Sequence, residues 1–400
     1  MMNPRVHLSL AMTGLVAVAG LVAVQPHAAV PAPVPSVTAL RADLADGDGV
    51  AACAPGAVYE ITAPLVVPSD TTLDMTGCTV RAAPGAGFNL LRNTAVAAGG
   101  RDHDITIVGG TWERGANGGT GNDTHNLFFR RIDGLTVRDV AVTSAGGKYA
   151  ITAADVTDVT VTRVRFKTFS DGVHITGPAR DVSISDVKGT TGDDQVALTA
   201  RDYGHYDDVH GDIENVNVSD VHSLGSLASL KIISGTDTAV RDVRVSGLYG
   251  TTRIRPISIS SDLTGPTVAD GIEISGVHVQ CTDPSFASIW LRGVSSTDIT
   301  IRDVRTTRAM AGNPMVLIDR DTRIGSLTID GWQMTAPAGA GANDLIGVYG
   351  TARIDVLRLN RLRTPVSWRG RIVWVGSASA SVGSSVVTDS VVAATGAARK

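Results

Sequence analysis

Apolar and polar residues alternate along most of this 400-residue chain in short segments that resemble one another. Ten of them begin at Ile105, Leu135, Val159, Val182, Val216, Val243, Ile272, Ile299, Leu327 and Leu357, at intervals of about 23 to 34 residues. Their spelling is close, as in Leu135-Thr-Val-Arg-Asp-Val140, Val182-Ser-Ile-Ser-Asp-Val187 and Ile299-Thr-Ile-Arg-Asp-Val304. Alternation with period two predicts strands that turn Val, Ile and Leu inward. Self-similarity at this period predicts a stacked repeat, in which each unit buries its apolar face only against its neighbours. The expected fold is all-β: one solenoid of roughly ten or more coils. Tyr59-Glu-Ile-Thr, Val66-Val67 and Thr72-Leu-Asp-Met read as two opening coils, and a helix-like stretch around Leu40 to Leu44 reads as an N-terminal cap over open strand edges.

Outside the repeats the pattern changes. Arg5 and His7 precede an apolar run from Leu8 to Val24, closed by Gln25-Pro26 and the small pair Ala28-Ala29. That run is short for a membrane span, so residues 1–29 are expected to be an export signal. A Pro-rich linker over 30–36, the solenoid over 37–390 and a disordered tail over 391–400 complete the expected organisation. The mature protein is then expected to be secreted, free of the membrane and monomeric. The longest interval, Val182 to Val216, carries its excess in the polar run Arg201 to Asp212, a loop placed to shape a cleft.

Composition supports thin coils: 43% hydrophobic residues but only 4% aromatic, with 44 glycines. A formal charge of −4 argues against nucleic acid as a partner. Three cysteines are compatible with secretion. Cys53 and Cys78 fall in the opening coils and could form a bridge, leaving Cys281 over. Neither a Cys-x-x-Cys pair nor a Cys/His zinc spacing occurs, and no cofactor is assigned.

Candidate chemistry emerges on counting outward from the repeat starts. Asp171 after Val159, Asp193 after Val182, Ser226 after Val216 and Arg253 after Val243 stand at nearly the same offset. Coils stack about 4.8 Å apart, so near-equal offsets make a ladder on one face, with Asp171 roughly 5 to 10 Å from Asp193 and Asp194. That is the distance scale of a glycosidase carboxyl pair. Two such charges about 6 Å apart repel by roughly 3 kcal/mol at a dielectric of 20, or about two pH units, enough to keep one protonated. The plainer alternative is that Gly192-Asp193-Asp194 is an ordinary corner turn. Lys148 and Tyr149 on the coil below, and Lys231 beyond Ser226, could line sugar subsites or be plain surface residues. Arg253 and Arg255, two apart on one strand, are expected to share a face and to grip a substrate carboxylate, or else to form a solvated basic corner. His205 and His210, with Asp207, Asp208 and Asp212, are expected in a polar cleft wall; no metal site is assigned there.

At these residues the chain resembles the pectin lyase-like proteins, and within them glycoside hydrolase family 28, the polygalacturonases. Phe169-Ser170-Asp171-Gly172 resembles that family's Asn-Thr-Asp motif, Gly192-Asp193-Asp194-Gln195 its Gly-Asp-Asp, and Arg253-Ile254-Arg255 its Arg-Ile-Lys. Gly225-Ser226-Leu227 stands where the family has Gly-His-Gly, so the histidine is missing, and His222 does not replace it in register. The resemblance implies a right-handed parallel β-helix and an inverting hydrolase of a polysaccharide, with Asp193 as acid and Asp171 and Asp194 holding the water. Two other readings stay open. One is a β-helix lyase whose aspartates hold Ca²⁺. The other is a non-catalytic carbohydrate-binding solenoid.

Overall fold

A computed structural model describes residues 36–46, 49–116, 124–202, 209–261, 265–307, 313–335, 344–366, 368 and 370–392. The expected export segment, the linker up to residue 35, the loop residues His205, Asp207 and Asp208, and residues 393–400 lie outside the described residues.

The ten segment starts form a single column. Ile105 pairs with Leu135, Leu135 with Val159, Val159 with Val182 and Val182 with Val216. The column runs on through Val243, Ile272, Ile299 and Leu327 to Leu357. Each coil gives one strand to this first sheet. It then adds one to a second sheet, where Trp112, Val142, Phe166 and Gly189 share a row. A third sheet aligns Ile151, Val173, Val196, Leu230, Ile257 and Ile289. The protein is a right-handed parallel β-helix. Inward residues stack into one continuous core. The row from Ile107 through Val137, Val161, Ile184, Val218 and Val245 to Ile274 is at most 2% exposed. Burial of each such side chain is worth about 1.5–3 kcal/mol.

The recurrent Asp in the repeat spelling has a backbone reason. The residue four places after each start is Gly109, Asp139, Arg163, Asp186, Asp220, Gly247, Gly276, Asp303, Gly331 or Arg361, and every one has φ between 47° and 78°. One left-handed residue thus bends the chain from the first sheet to the second. Gly tolerates that region because it lacks Cβ, and Asp because its short polar side chain bonds locally.

The cap is a helix, α1 (Val37–Asp46), which buries Leu40 and Leu44 on the end of the core. Arg41 donates to the Ala63 carbonyl at 2.7 Å. Cys53 and Cys78 form a disulfide between the opening coils, while Cys281 is free and buried. At the other end, Val391 still pairs with Arg363, so the stack reaches one residue into the segment expected as a tail.

Candidate functional site

The second corner, between the second and third sheets, is built differently from the first. On three successive coils it carries Tyr149, then Asp171, then Asp193 and Asp194. Gly192 brings two of these coils together: a Cβ there would lie 1.6 Å from the Phe169 carbonyl oxygen, so only glycine fits. Gly172 is held likewise, with the Gln195 carbonyl 2.6 Å from where its Cβ would be. None of Asp171, Asp193 and Asp194 is in the left-handed conformation of the first-corner aspartates. Val173 pairs with Val196, so counting back two places sets Asp171 opposite Asp194, with Asp193 one position earlier. The Asp194 N–H donates to Asp171 Oδ1 at 3.2 Å. One carboxylate oxygen from each of the three lies within 4.8 Å of the others. This is tighter than the separation expected from coil stacking alone.

Burial and mutual repulsion set the charges. Burial, then the Asp171 charge, pushes the Asp193 carboxyl up to about 6, against the opposing pull of Lys231, Lys148 and His174. Asp194 is raised well above the usual carboxylate range, by burial first and then by Asp171 and Asp193. The pair therefore retains a proton in mildly acidic medium.

Beneath the aspartates lies a group that the alternating pattern concealed. His174 is 1% exposed, and its Nδ1 lies 2.6 Å from Asp171 Oδ2. Its Nε2 lies 2.7 Å from Thr199 Oγ1 and 3.5 Å from Asp202 Oδ2. Burial pushes the imidazole down, but the hydrogen bonds to Asp171 and Asp202 outweigh it and carry it up to about 9. Tyr149 stacks on His174 with ring centres 3.7 Å apart and donates its hydroxyl to Asp202 Oδ2 at 2.9 Å. His125 extends the wall, stacked on Phe128 at 4.8 Å, and burial holds it neutral. His174 was legible only in part. It stands three places after Asp171 and alternates with the inward Val173 and Ile175, which puts it on the outer side of the third sheet.

The other expected site residues divide. Lys231 follows His174 and Ala197 in one row of that sheet and donates to Ser260 Oγ at 2.9 Å. Lys148 sits with its ammonium 4.2 Å above the Tyr149 ring. Both lie close enough to act electrostatically on Asp193. Tyr149, expected to line an open subsite, is instead buried in the wall at 5% exposure. Arg253 and Arg255 do not act together. Arg253 reaches back to the Gly192 carbonyl, whereas Arg255 lies 3.7 Å over the Trp290 ring on the next coil. Ser226, expected in the polar ladder, is fully buried with its hydroxyl 2.6 Å from the Gln195 side-chain amide. The register slips on either side of it, which is why equal offsets misplace it. His210 lies 3.8 Å from Asp237, which also accepts from Arg201 at 2.8 Å. A separate cleft of about 480 Å³ at the third corner is lined by Arg101, Asp133, Asp155, Arg180 and Glu214. Its charges pair internally, Arg101 with Asp133 at 2.9 Å and Arg180 with Glu214 at 3.1 Å.

No family model matches the chain, and no curated protein matches it. Solved structures do. The catalytic domain of a GH87 alpha-1,3-glucanase in complex with tetrasaccharides superposes with a TM-score of 0.53 and 16% identity, over 92% of this chain and 71% of its own. The tailspike protein of E. coli bacteriophage HK620 gives a TM-score of 0.53 and 9% identity, over 88% and 73%. What they share with this chain is the fold. Neither is a polygalacturonase, so the neighbours carry the β-helix but not family 28. The glucanase has been solved with single aspartate-to-alanine changes at three places: one aspartate, and an adjacent pair further along its chain.

Proposed function

We propose that the protein is a secreted polysaccharide hydrolase whose centre is Asp171, Asp193 and Asp194. The observation that carries this reading is the meeting of three carboxylates within 4.8 Å on successive coils, one of them pushed up to about 6. Asp193, the least buried, is the acid: it gives its proton to the glycosidic oxygen as the bond to the anomeric carbon breaks. Asp171 and Asp194 hold a water, which adds its hydroxyl to that carbon and passes its proton to Asp171. The imidazolium of His174 balances the negative charge from below.

The spacing of the glucanase's changed aspartates, 23 and 24, is close to the 22 and 23 that separate Asp171 from Asp193 and Asp194. Together with the missing Gly-His-Gly histidine, this supports a neutral glucan such as an α-1,3-glucan ahead of galacturonan. The apolar run Leu8 to Val24 and the Cys53–Cys78 bridge support action outside the cell. One observation favours a second stereochemical course. Carboxyl groups this close approach the roughly 5–5.5 Å of retaining enzymes rather than the roughly 6.5–9.5 Å of inverting ones.

The test is reducing-end release from α-1,3-glucan, polygalacturonate and a panel of other polysaccharides, with Asp193→Asn as control. Ultraviolet absorbance of unsaturated products is followed with and without calcium, and the anomeric form of the first product by NMR. Reducing ends that vanish in the variant support hydrolysis, and the first anomer assigns inversion or retention. Calcium-dependent absorbance identifies a lyase, and silence across the panel removes the catalytic reading.

A further inference from the structure

Large apolar side chains that face solvent are unevenly placed. Among the described residues, Val50, Val58 and Val66 lie in the opening coils, and Val366, Trp374, Val375, Val386, Val387 and Val391 lie in the last. Between these ends there are two, Phe169 and Leu224, at 59% and 53% exposure. Both lie on coils adjacent to that of Asp193, Phe169 opposite Gly192 and Leu224 opposite Thr190, three residues before Asp193. Single exposed apolar residues are ordinary on a protein surface. Confinement of the only two among the described residues of the solenoid body to the coils on either side of Asp193 is not.

Their backbones fix the arrangement. The Gly192 N–H donates to the Thr168 carbonyl at 2.8 Å, which places Gly192 directly over Phe169. The position stacked on the phenyl-bearing residue therefore has no side chain, and the next residue is Asp193. On the following coil, the Leu224 carbonyl accepts from Thr190 Oγ1 at 2.9 Å, and the Leu227 N–H donates to the Asp193 carbonyl at 2.8 Å. Phe169 thus lies one coil before the half-buried acid and Leu224 one coil after it, about 10 Å apart along the stack.

We propose that Phe169, with Leu224 as an outer contact, forms a carbohydrate subsite that seats the C–H face of an uncharged pyranose ring next to Asp193. The proposal rests on the hydrolase reading for where the polysaccharide lies, and it narrows the class of sugar. The face of a phenyl ring is electronegative and attracts the positively polarised C–H face of a sugar. Phe169 offers no charge to a uronate carboxylate, and the cations nearest the cluster, Lys148, Lys231 and His174, are already matched against its aspartates. Phe169 does not pack in the core, so its removal leaves the fold intact.

The experiment uses the full chain carrying Asp193→Asn, so that ligand is not consumed. Binding of α-1,3-linked gluco-oligosaccharides and of polygalacturonate is titrated by calorimetry in the parent, in Phe169→Ala, Phe169→Tyr and Leu224→Ser. Phe169→Ala is expected to weaken gluco-oligosaccharide binding about tenfold, Phe169→Tyr to restore it to within about threefold, and Leu224→Ser to lose a few-fold. Melting temperatures are expected not to move. Equal affinity of Phe169→Ala and parent overturns the proposal, as does preference for polygalacturonate or absence of binding to both probes. The two readings fail separately. Phe169-dependent binding by a wild-type protein that cleaves nothing removes the hydrolase and keeps the subsite. Cleavage that needs Asp193 but ignores Phe169 removes the subsite alone.

Discussion

The first and second corners of this solenoid use the same residue for opposite ends. At the first corner, aspartates such as Asp139 and Asp186 bend the backbone through a left-handed φ and point to solvent beside arginines. A hydrogen bond from Arg163 helps to hold the Asp139 carboxyl down at about 2. At the second corner, Asp171, Asp193 and Asp194 keep ordinary backbone and face each other, and Asp193 is pushed up to about 6. The difference teaches how to tell a structural aspartate from one of raised proton affinity in a repeat. The deciding features are backbone conformation and the nearest charge, not residue type.

The largest expected break between the corners is catalytic. Asp193→Asn should lower polysaccharide cleavage by about 10³-fold or more, the usual contribution of a general acid. Asp186→Asn should leave the rate within about twofold, because asparagine also tolerates the left-handed bend. Initial rates on the same polymer decide this, and equal losses in both variants remove the distinction. Next comes His174, which is bonded to Asp171 beneath the cluster. His174→Gln should cost about 10- to 100-fold in rate and move the acid limb of the pH–rate profile upward, since the carboxylates lose their nearest positive charge. A loss of rate with an unmoved profile would reduce His174 to a packing role.

Smaller effects concern stability. Asp220 has φ of 52°, so Asp220→Val should destabilise by about 1–2 kcal/mol, whereas Asp220→Gly should change little. Denaturant melts check both. The least effect is the most discriminating, because its sign differs between corners. The folded Asp193 carboxyl titrates at about 6 against 3.8 when unfolded, so its contribution is greatest below pH 3.8 and is lost as pH rises through 6. Asp193→Asn should therefore gain a few degrees in melting temperature at pH 7 relative to wild type, and less at pH 4. Asp139 titrates at about 2, so its contribution is present above pH 3.8 and is lost as pH falls through 2. Asp139→Asn should lose stability at pH 7, and that loss should shrink towards pH 2. His174 shares the sign of Asp193: its contribution is complete below pH 6.5 and gone above about 9.

Much of the fold was legible because one period governs it. The ten repeat starts counted along the chain are the ten residues that stack in register, since alternation and period both record the inward face. The aspartate cluster was legible for the same reason. What lay outside the count was everything decided between coils. The His174–Asp202–Tyr149 network joins residues up to 53 apart in sequence. Tyr149 reads as a surface residue from its neighbours alone, because nothing local says that it stacks on His174. The paths of Arg253 and Arg255 diverge, and Ser226 turns inward, where register irregularities interrupt the period.

The first corner is one left-handed residue at the same offset on all ten repeats, while the other corners differ in length from coil to coil, the second spanning six residues between Ser144 and Ile151 but four between Thr168 and Val173. One edge therefore serves as a spine and the other two as margins. A chain built so can lengthen a margin on one coil without shifting the coils above or below it. Inheritance can then rewrite what such a solenoid recognises one loop at a time, leaving the stack that keeps it folded untouched.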